Sequence, residues 1–235
     1  MSAREELRRH LGDGVAAVGF RAERFVAELH RRALEQGLLD VAYGTLDTPL
    51  GTLLVAVTER GVVRVAYPDE GTERVLTELA ARVSPRVLAA PERTDAVRRE
   101  LEDYFAGERR VFAVPVDWSL VHGFATRILH ATARLPYGAT STYGRVAAEA
   151  GSPRAARAAG NALGSNPIPI IVPCHRVLHA DGGLGGYSGG LDRKRYLLRL
   201  EGSFPADLAV RRPLGGGHSA AADRWRPPGD RPSMG

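Results

Sequence analysis

Residues 166–177 read Asn-Pro-Ile-Pro-Ile-Ile-Val-Pro-Cys-His-Arg-Val, and no other stretch limits the fold so tightly. Pro167, Pro169 and Pro173 each fix φ and remove a backbone donor, which excludes a helix or a central strand here. The residues between them, Ile168, Ile170, Ile171 and Val172, are apolar and β-branched. The combination predicts an extended, rigid, buried approach to Cys174. A thiol delivered on such a segment has little freedom, which suits a nucleophile that must be accurately placed. Cys174 is the only cysteine in 235 residues, and from position alone a buried, inert core thiol fits about equally well. Its neighbours shift the balance.

Pro173-Cys174-His175-Arg176-Val177, preceded by Asn166-Pro167, resembles the acceptor motif of the O(6)-alkylguanine-DNA alkyltransferases, the methylated-DNA–protein-cysteine methyltransferases. The likeness continues through Gly185-Gly186-Tyr187-Ser188-Gly189-Gly190 to Glu201-Gly202. Upstream it takes in Pro136-Tyr137-Gly138, Tyr143 and the run Pro153-Arg154-Ala155-Ala156-Arg157-Ala158. It is dense over residues 120–202 and looser over 41–116. Several motifs in the right order and spacing are far more specific than any one of them.

The chain divides by pattern. Residues 1–38 read as two helical pieces, a helical N-terminal extension with no counterpart in the motifs. From 41 the period becomes two: 41–46, 51–57 and 62–67 are strand-like, the last two forming a hairpin. Residues 72–83 and 94–105 read as helices with Leu76, Leu79 and Val83, and Val97, Leu101 and Phe105, turned inward. A strand over 109–116 closes a small α+β unit spanning 39–117. It carries no recognisable chemistry, and scaffolding is its expected role. The resemblance implies a ribonuclease-H-like sheet domain here, followed by a mostly helical domain with a helix-turn-helix over 118–202.

In that second part, 124–135 is a helix stopped by Pro136-Tyr137-Gly138. Ser152 is placed to cap a further helix over 154–163, with Pro153 at its first position. With residues 142–151 it forms a helix-turn-helix candidate, although pattern alone fits an ordinary αα-hairpin equally well. Arg145, Arg154 and Arg157 against the single acid Glu149, the alanine- and glycine-rich second helix, and the adjacent cysteine favour the former. The glycine-dense 181–190 is no regular element and no phosphate loop, since no Gly-Lys-Ser/Thr follows. A last helix, 192–200, delivers Glu201. Residues 203–235 lack apolar periodicity and read as a disordered tail.

A free thiol has a pKa near ~8.5 and needs a base to attack saturated carbon. His175 is adjacent, but neighbouring side chains often diverge. Without the resemblance, a structural hydrogen bond for His175 and a solvated helix end for Glu201 are the plainer readings. The resemblance implies a water between Cys174 and His175, with Glu201 on the other ring nitrogen. It also implies that Tyr143 and Ser188 donate to the departing guanine and that Tyr187 forms a pocket wall. Backbone carbonyls near Cys174 and Val177 would read the base's amino group, Asn166 would brace the turn, and Arg157 would enter the DNA stack. Arg145, Arg154, Arg157 and Arg176 are the expected DNA contacts.

The expected partner is double-stranded DNA containing alkylated guanine, repaired once per molecule by irreversible transfer to Cys174, with no cofactor and no metal. A net charge of +5 is compatible with a polyanion, and one cysteine excludes an internal disulfide and points to a reducing compartment. No apolar run approaches the ~20 residues of a membrane span, and the polar start is no secretory signal. A cytoplasmic monomer is the expectation. Two other readings compete: a helix-turn-helix DNA-binding protein with an incidental cysteine, and a thiol hydrolase using Cys174 and His175.

Overall fold

The computed structural model describes residues 39–204. The expected N-terminal helices, and all but the first two residues of the expected disordered tail, lie outside them.

Period-two runs make the sheet. Strands β1 (Val41–Thr48), β2 (Gly51–Thr58) and β3 (Gly61–Ala66) are successive antiparallel neighbours, with Leu46 opposite Leu53 and Val55 opposite Val65. Along β2, Leu53, Val55 and Val57 point into one apolar cluster and Leu54 and Ala56 into another, so both faces are covered. Helix α1 (Thr72–Arg82) brings Val75 and Leu79 to the second cluster. Helix α2 (Pro91–Phe105) brings Val97, Leu101 and Tyr104 to the first.

Two features of the sheet differ from expectation. A short fourth strand, β4 (Val87–Ala89), pairs parallel to β1 and gives the order β3-β2-β1-β4. Three residues are too few for a periodic signal. The strand expected over 109–116 does not form; a single parallel bridge joins Val116 to Val62. The amides of Ala113 and Val114 donate instead to the Glu100 carboxylate, at 2.8 and 3.3 Å, and Pro115 has no amide to offer.

Helices dominate the second half: α3 (Phe124–Ala133), α4 (Tyr143–Glu149), α5 (Ala156–Gly164) and α6 (Leu191–Leu200). Two-residue strands β5 (Ser141–Thr142) and β6 (Val177–Leu178) pair in parallel and join the start of α4 to the cysteine segment. Helix α5 begins two residues later than the Ser152 cap predicted. Gly151 lies at φ 77°, and the amides of Gly151 and Ser152 bond back to Ala148 and Ala147 at 2.9 and 2.8 Å. This is the hydrogen-bond pair that ends a helix at a left-handed glycine. Ser152 thus closes α4 through its amide, and α5 starts from Ala155 with no side-chain cap.

One apolar cluster runs unbroken from Leu53 and Val65 in the sheet, through Tyr104, to Ile128, Ile168, Val172 and Leu197. The two halves thus share a core. Among the described residues no helix is long and apolar enough to cross a membrane.

Candidate active site

The proline-rich segment is as buried as its composition predicts, with residues 166–178 all inaccessible, but it is not extended. It coils into consecutive turns: Val172 N–H bonds Ile168 O at 2.9 Å and Cys174 N–H bonds Val172 O at 2.8 Å. Proline's φ suits a turn as well as an extended chain, so its presence did not decide between them. Ile170 takes φ 76°, a rare conformation for a β-branched residue, while its side chain is wholly buried. Asn166 holds the coil together. Its Oδ1 accepts from Ile168 N at 3.0 Å, and its amide nitrogen donates to Val172 O at 2.9 Å and to Cys174 Sγ at 3.1 Å. At the far side Pro167 O accepts from Val65 N on β3 at 2.9 Å, which fixes the segment to the sheet.

Cys174 opens a single helical turn, Cys174–Arg176. Burial pushes its thiol up to about 11, while the Asn166 amide and the Lys194 ammonium pull the other way. The resting thiol is therefore protonated at neutral pH, and reaction requires a base. His175 is completely buried; its Nε2 lies 2.9 Å from Glu201 Oε1, and its Nδ1 has no hydrogen-bond partner in the protein. Burial lowers the imidazole's pKa despite the opposing carboxylate, so it is neutral at pH 7 and able to take a proton.

Glu201 is the most heavily bonded group at the site. The Schellman-type end of α6 sets its position: Gly202 lies at φ 69°, and Gly202 and Ser203 bond back to Arg199 and Leu198. Its carboxylate receives Tyr104 O–H at 2.7 Å, Arg176 Nε and Nη2 each at 2.9 Å, and Gly138 N–H at 3.4 Å, besides His175. Burial opposes ionisation, but His175 and Arg176 outweigh it and hold the carboxyl at about 2.

Arg176 was expected at the DNA. It is instead 5 % exposed, with Nε and Nη2 on Glu201 and Nη1 on Leu135 O at 2.5 Å. All three nitrogens are committed to the interior, so none is left for a phosphate.

A cavity of about 600 Å³ opens over the thiol, and Tyr143, Arg157, Cys174, Tyr187 and Ser188 all line it. His179 lines it too, a residue that no motif singled out. Tyr143 begins α4, where the Thr142 side chain accepts from Arg145 N–H. Its ring packs beside Gly160, and a Cβ on Gly185 would lie 2.5 Å from its hydroxyl. The small residues of α5 and of the loop are thus what lets Tyr143 sit there. Val177 does not reach the cavity wall. Its carbonyl accepts from Lys194 Nζ at 2.7 Å.

Lys194, the only lysine of the chain, is fully buried and also donates to Leu184 O and Gly186 O, at 2.5 and 3.3 Å. One ammonium thereby ties the glycine-rich loop to the strand that follows the cysteine. Its uniqueness in an arginine-rich sequence was the available signal: three converging carbonyls suit a compact ammonium better than a planar fork.

Arg145, Arg154 and Arg157 are exposed and form no ion pair among the described residues. They lie on α4, on α5 and on the turn between them. Ala159, Ala162 and Leu163 bury the opposite side of α5. The result is a basic outer face beside the mouth of the cavity.

Comparison with known proteins covers the same span. Residues 41–118 match the family described as 6-O-methylguanine DNA methyltransferase, ribonuclease-like domain, and residues 123–203 match its DNA binding domain. A methylated-DNA–protein-cysteine methyltransferase of Mycolicibacterium paratuberculosis is 42 % identical over 173 residues, 72 % of this chain and 98 % of the relative. One from Methanosarcina acetivorans is 40 % identical over 161 residues, 68 % of this chain and 98 % of that protein. Among solved structures, Mycobacterium tuberculosis OGT in complex with DNA is 39 % identical, with a TM-score of 0.59 over 71 % of this chain and 97 % of that one.

Proposed function

The chain belongs to the methylated-DNA–protein-cysteine methyltransferase family, and on that premise we propose that Cys174 is the atom that takes the alkyl group from O(6)-alkylguanine in double-stranded DNA. The observation that carries this is a buried thiol at the floor of a cavity, beside an imidazole whose free Nδ1 is backed by an ionised Glu201. Arg145, Arg154 and Arg157 dock the phosphate backbone, and Arg157 fills the stack when the base swings out.

The S–H proton passes through one water to His175 Nδ1, and Glu201 stabilises the imidazolium through Nε2. Sulfur then attacks the alkyl carbon. The S–C bond forms as the C–O bond breaks, and the electron pair leaves with the guanine oxygen. Tyr143 and Ser188 donate to the departing base, so its negative charge is met as it develops. Tyr187 walls the pocket, and Asn166 keeps Sγ aimed into it. A thioether does not undergo thiol exchange, and no second cysteine exists to accept the group, so each molecule acts once.

In this reading the protein works as a cytoplasmic monomer. Residues 39–117 are the sheet domain and 118–202 the DNA-binding and acceptor domain. The test is intact-protein mass spectrometry after incubation with a duplex carrying O(6)-methylguanine, followed by peptide mapping. One added methyl group on Cys174, and none on Cys174→Ser, is expected. Substrate turnover without any mass gain would return the assignment to a hydrolase.

A further inference from the structure

The sheet half reaches into the site through a residue that no motif marked. Tyr104 lies near the end of α2, fully buried, and its hydroxyl donates to Glu201 Oε1 at 2.7 Å. That oxygen also receives His175 Nε2 and Arg176 Nη2, each at 2.9 Å. Burial and the neighbouring carboxylate push the phenol far above its ordinary range, so it remains protonated and can only donate to the carboxylate. Its ring is held independently of that bond, against Phe105 and Phe112 with centroids 5.4 Å away in each case, and against Tyr137 at 6.1 Å. The hydroxyl is therefore aimed by packing, and its bond to Glu201 is not needed to place the ring.

We propose that Tyr104 is a positioning residue of the proton relay, acting from outside the acceptor half through Glu201. A phenol on Oε1 draws charge away from the oxygen that His175 uses. Arg176 meanwhile spans both oxygens, Nε on Oε2 and Nη2 on Oε1, so Oε1 is the oxygen on which the phenol, the imidazole and the guanidinium converge. The consequence is an imidazole backed strongly enough to be oriented, yet not so strongly that it is already protonated when the thiol must release its proton. The other charged or titratable groups facing the His175–Glu201 pair are Arg176 and Lys194, with the Cys174 thiol on the sulfur side and Tyr137 beyond Arg176. None of these is altered by removing the Tyr104 hydroxyl. The inference rests on the reading of Cys174 as acceptor with His175 as its base.

Tyr104→Phe keeps the ring and deletes only the donor. With one fewer donor, Glu201 Oε1 becomes a stronger acceptor for His175, and the imidazole holds its proton to higher pH. The acid limb of the single-turnover pH–rate profile should move up by roughly half a unit to one unit. On the acid limb, well below the imidazole's pKa, transfer should be about three- to tenfold slower than wild type, and the gap should close as pH rises. A parallel measurement follows the imidazole ¹⁵N shifts of His175 in Cys174→Ser, with and without Tyr104→Phe, where transfer cannot occur. The same upward displacement is expected there. Equal slowing at every pH with an unmoved limb and unmoved ¹⁵N titration would show that Tyr104 only packs, and would overturn the proposal. An unaltered rate and profile would overturn it as well. If the wild type takes up no methyl group at all, the acceptor reading fails instead, and the ¹⁵N titration still judges Tyr104.

Discussion

Replacing Arg176 by methionine separates an interior cation from a DNA contact. The guanidinium and the Glu201 carboxylate are both buried, joined by two bonds of 2.9 Å, with side chains 6 % and 0 % exposed. Removing one partner of a buried pair costs about 3–5 kcal/mol. Glu201 keeps Tyr104 and His175 as donors, and the imidazole can take a proton to restore neutrality, which places the loss near the lower end, about 3 kcal/mol. For a folded unit of this size that is roughly 6 to 12 °C in Tm. The charge balance also shifts. Arg176 helps to hold His175 down, so without it the imidazole's pKa rises and the base is protonated nearer to pH 7. Transfer should slow at neutral pH and recover as pH rises. Duplex affinity and its salt slope should be those of wild type. Urea unfolding, single-turnover kinetics across pH, and binding at several salt concentrations measure all three. Stability within about 1 kcal/mol of wild type, together with a salt slope smaller by about 0.9, would mean that Arg176 meets a phosphate and would refute the reasoning.

Arg157→Ala should slow repair of saturating duplex substantially yet leave reaction with the free alkylated base nearly unchanged, because the free base needs no unstacking; equal slowing on both would assign Arg157 to the pocket itself. Lys194→Met leaves the Val177, Leu184 and Gly186 carbonyls without their shared donor, so the loop bearing Tyr187 and Ser188 should loosen. A loss of about 2 kcal/mol and at least tenfold in transfer are expected, and Lys194→Arg should not restore them; full rescue by arginine would show that charge alone matters. Glu201 is held at about 2 when folded, against 4.5 for the free group, so its contribution to stability is complete above 4.5 and is lost as pH falls toward 2. That window corresponds to about 3 kcal/mol, and urea midpoints of wild type and Glu201→Gln should converge across it; a constant gap would count against an ionised Glu201.

Much of this molecule can be read from short-range pattern. Period-two runs place β1, β2 and β3, and period-3.6 runs place α1, α2 and α3, because each records which face of a local element is buried. The lone cysteine between proline and histidine, and the order of the motifs around it, mark the family and the centre proposed to react.

What pattern did not reach is where each polar group finds its partner. The run before Cys174 is buried as its composition says, yet it coils, since a fixed proline φ serves turns and extended chain alike. Ser152 has the chemistry of a helix cap, but it lies in the turn that closes α4, and α5 starts beyond it from Ala155. Arg176 sits in the motif like a DNA contact and is drawn inward by Glu201, 25 residues away in sequence. Tyr104, 97 residues from Glu201, looks in sequence like one more inward-facing aromatic. Periodicity carries the burial of a side chain because burial depends on its own helix or strand. The identity of a buried donor's acceptor depends on which distant elements share the core, and packing of the two halves against each other decides that.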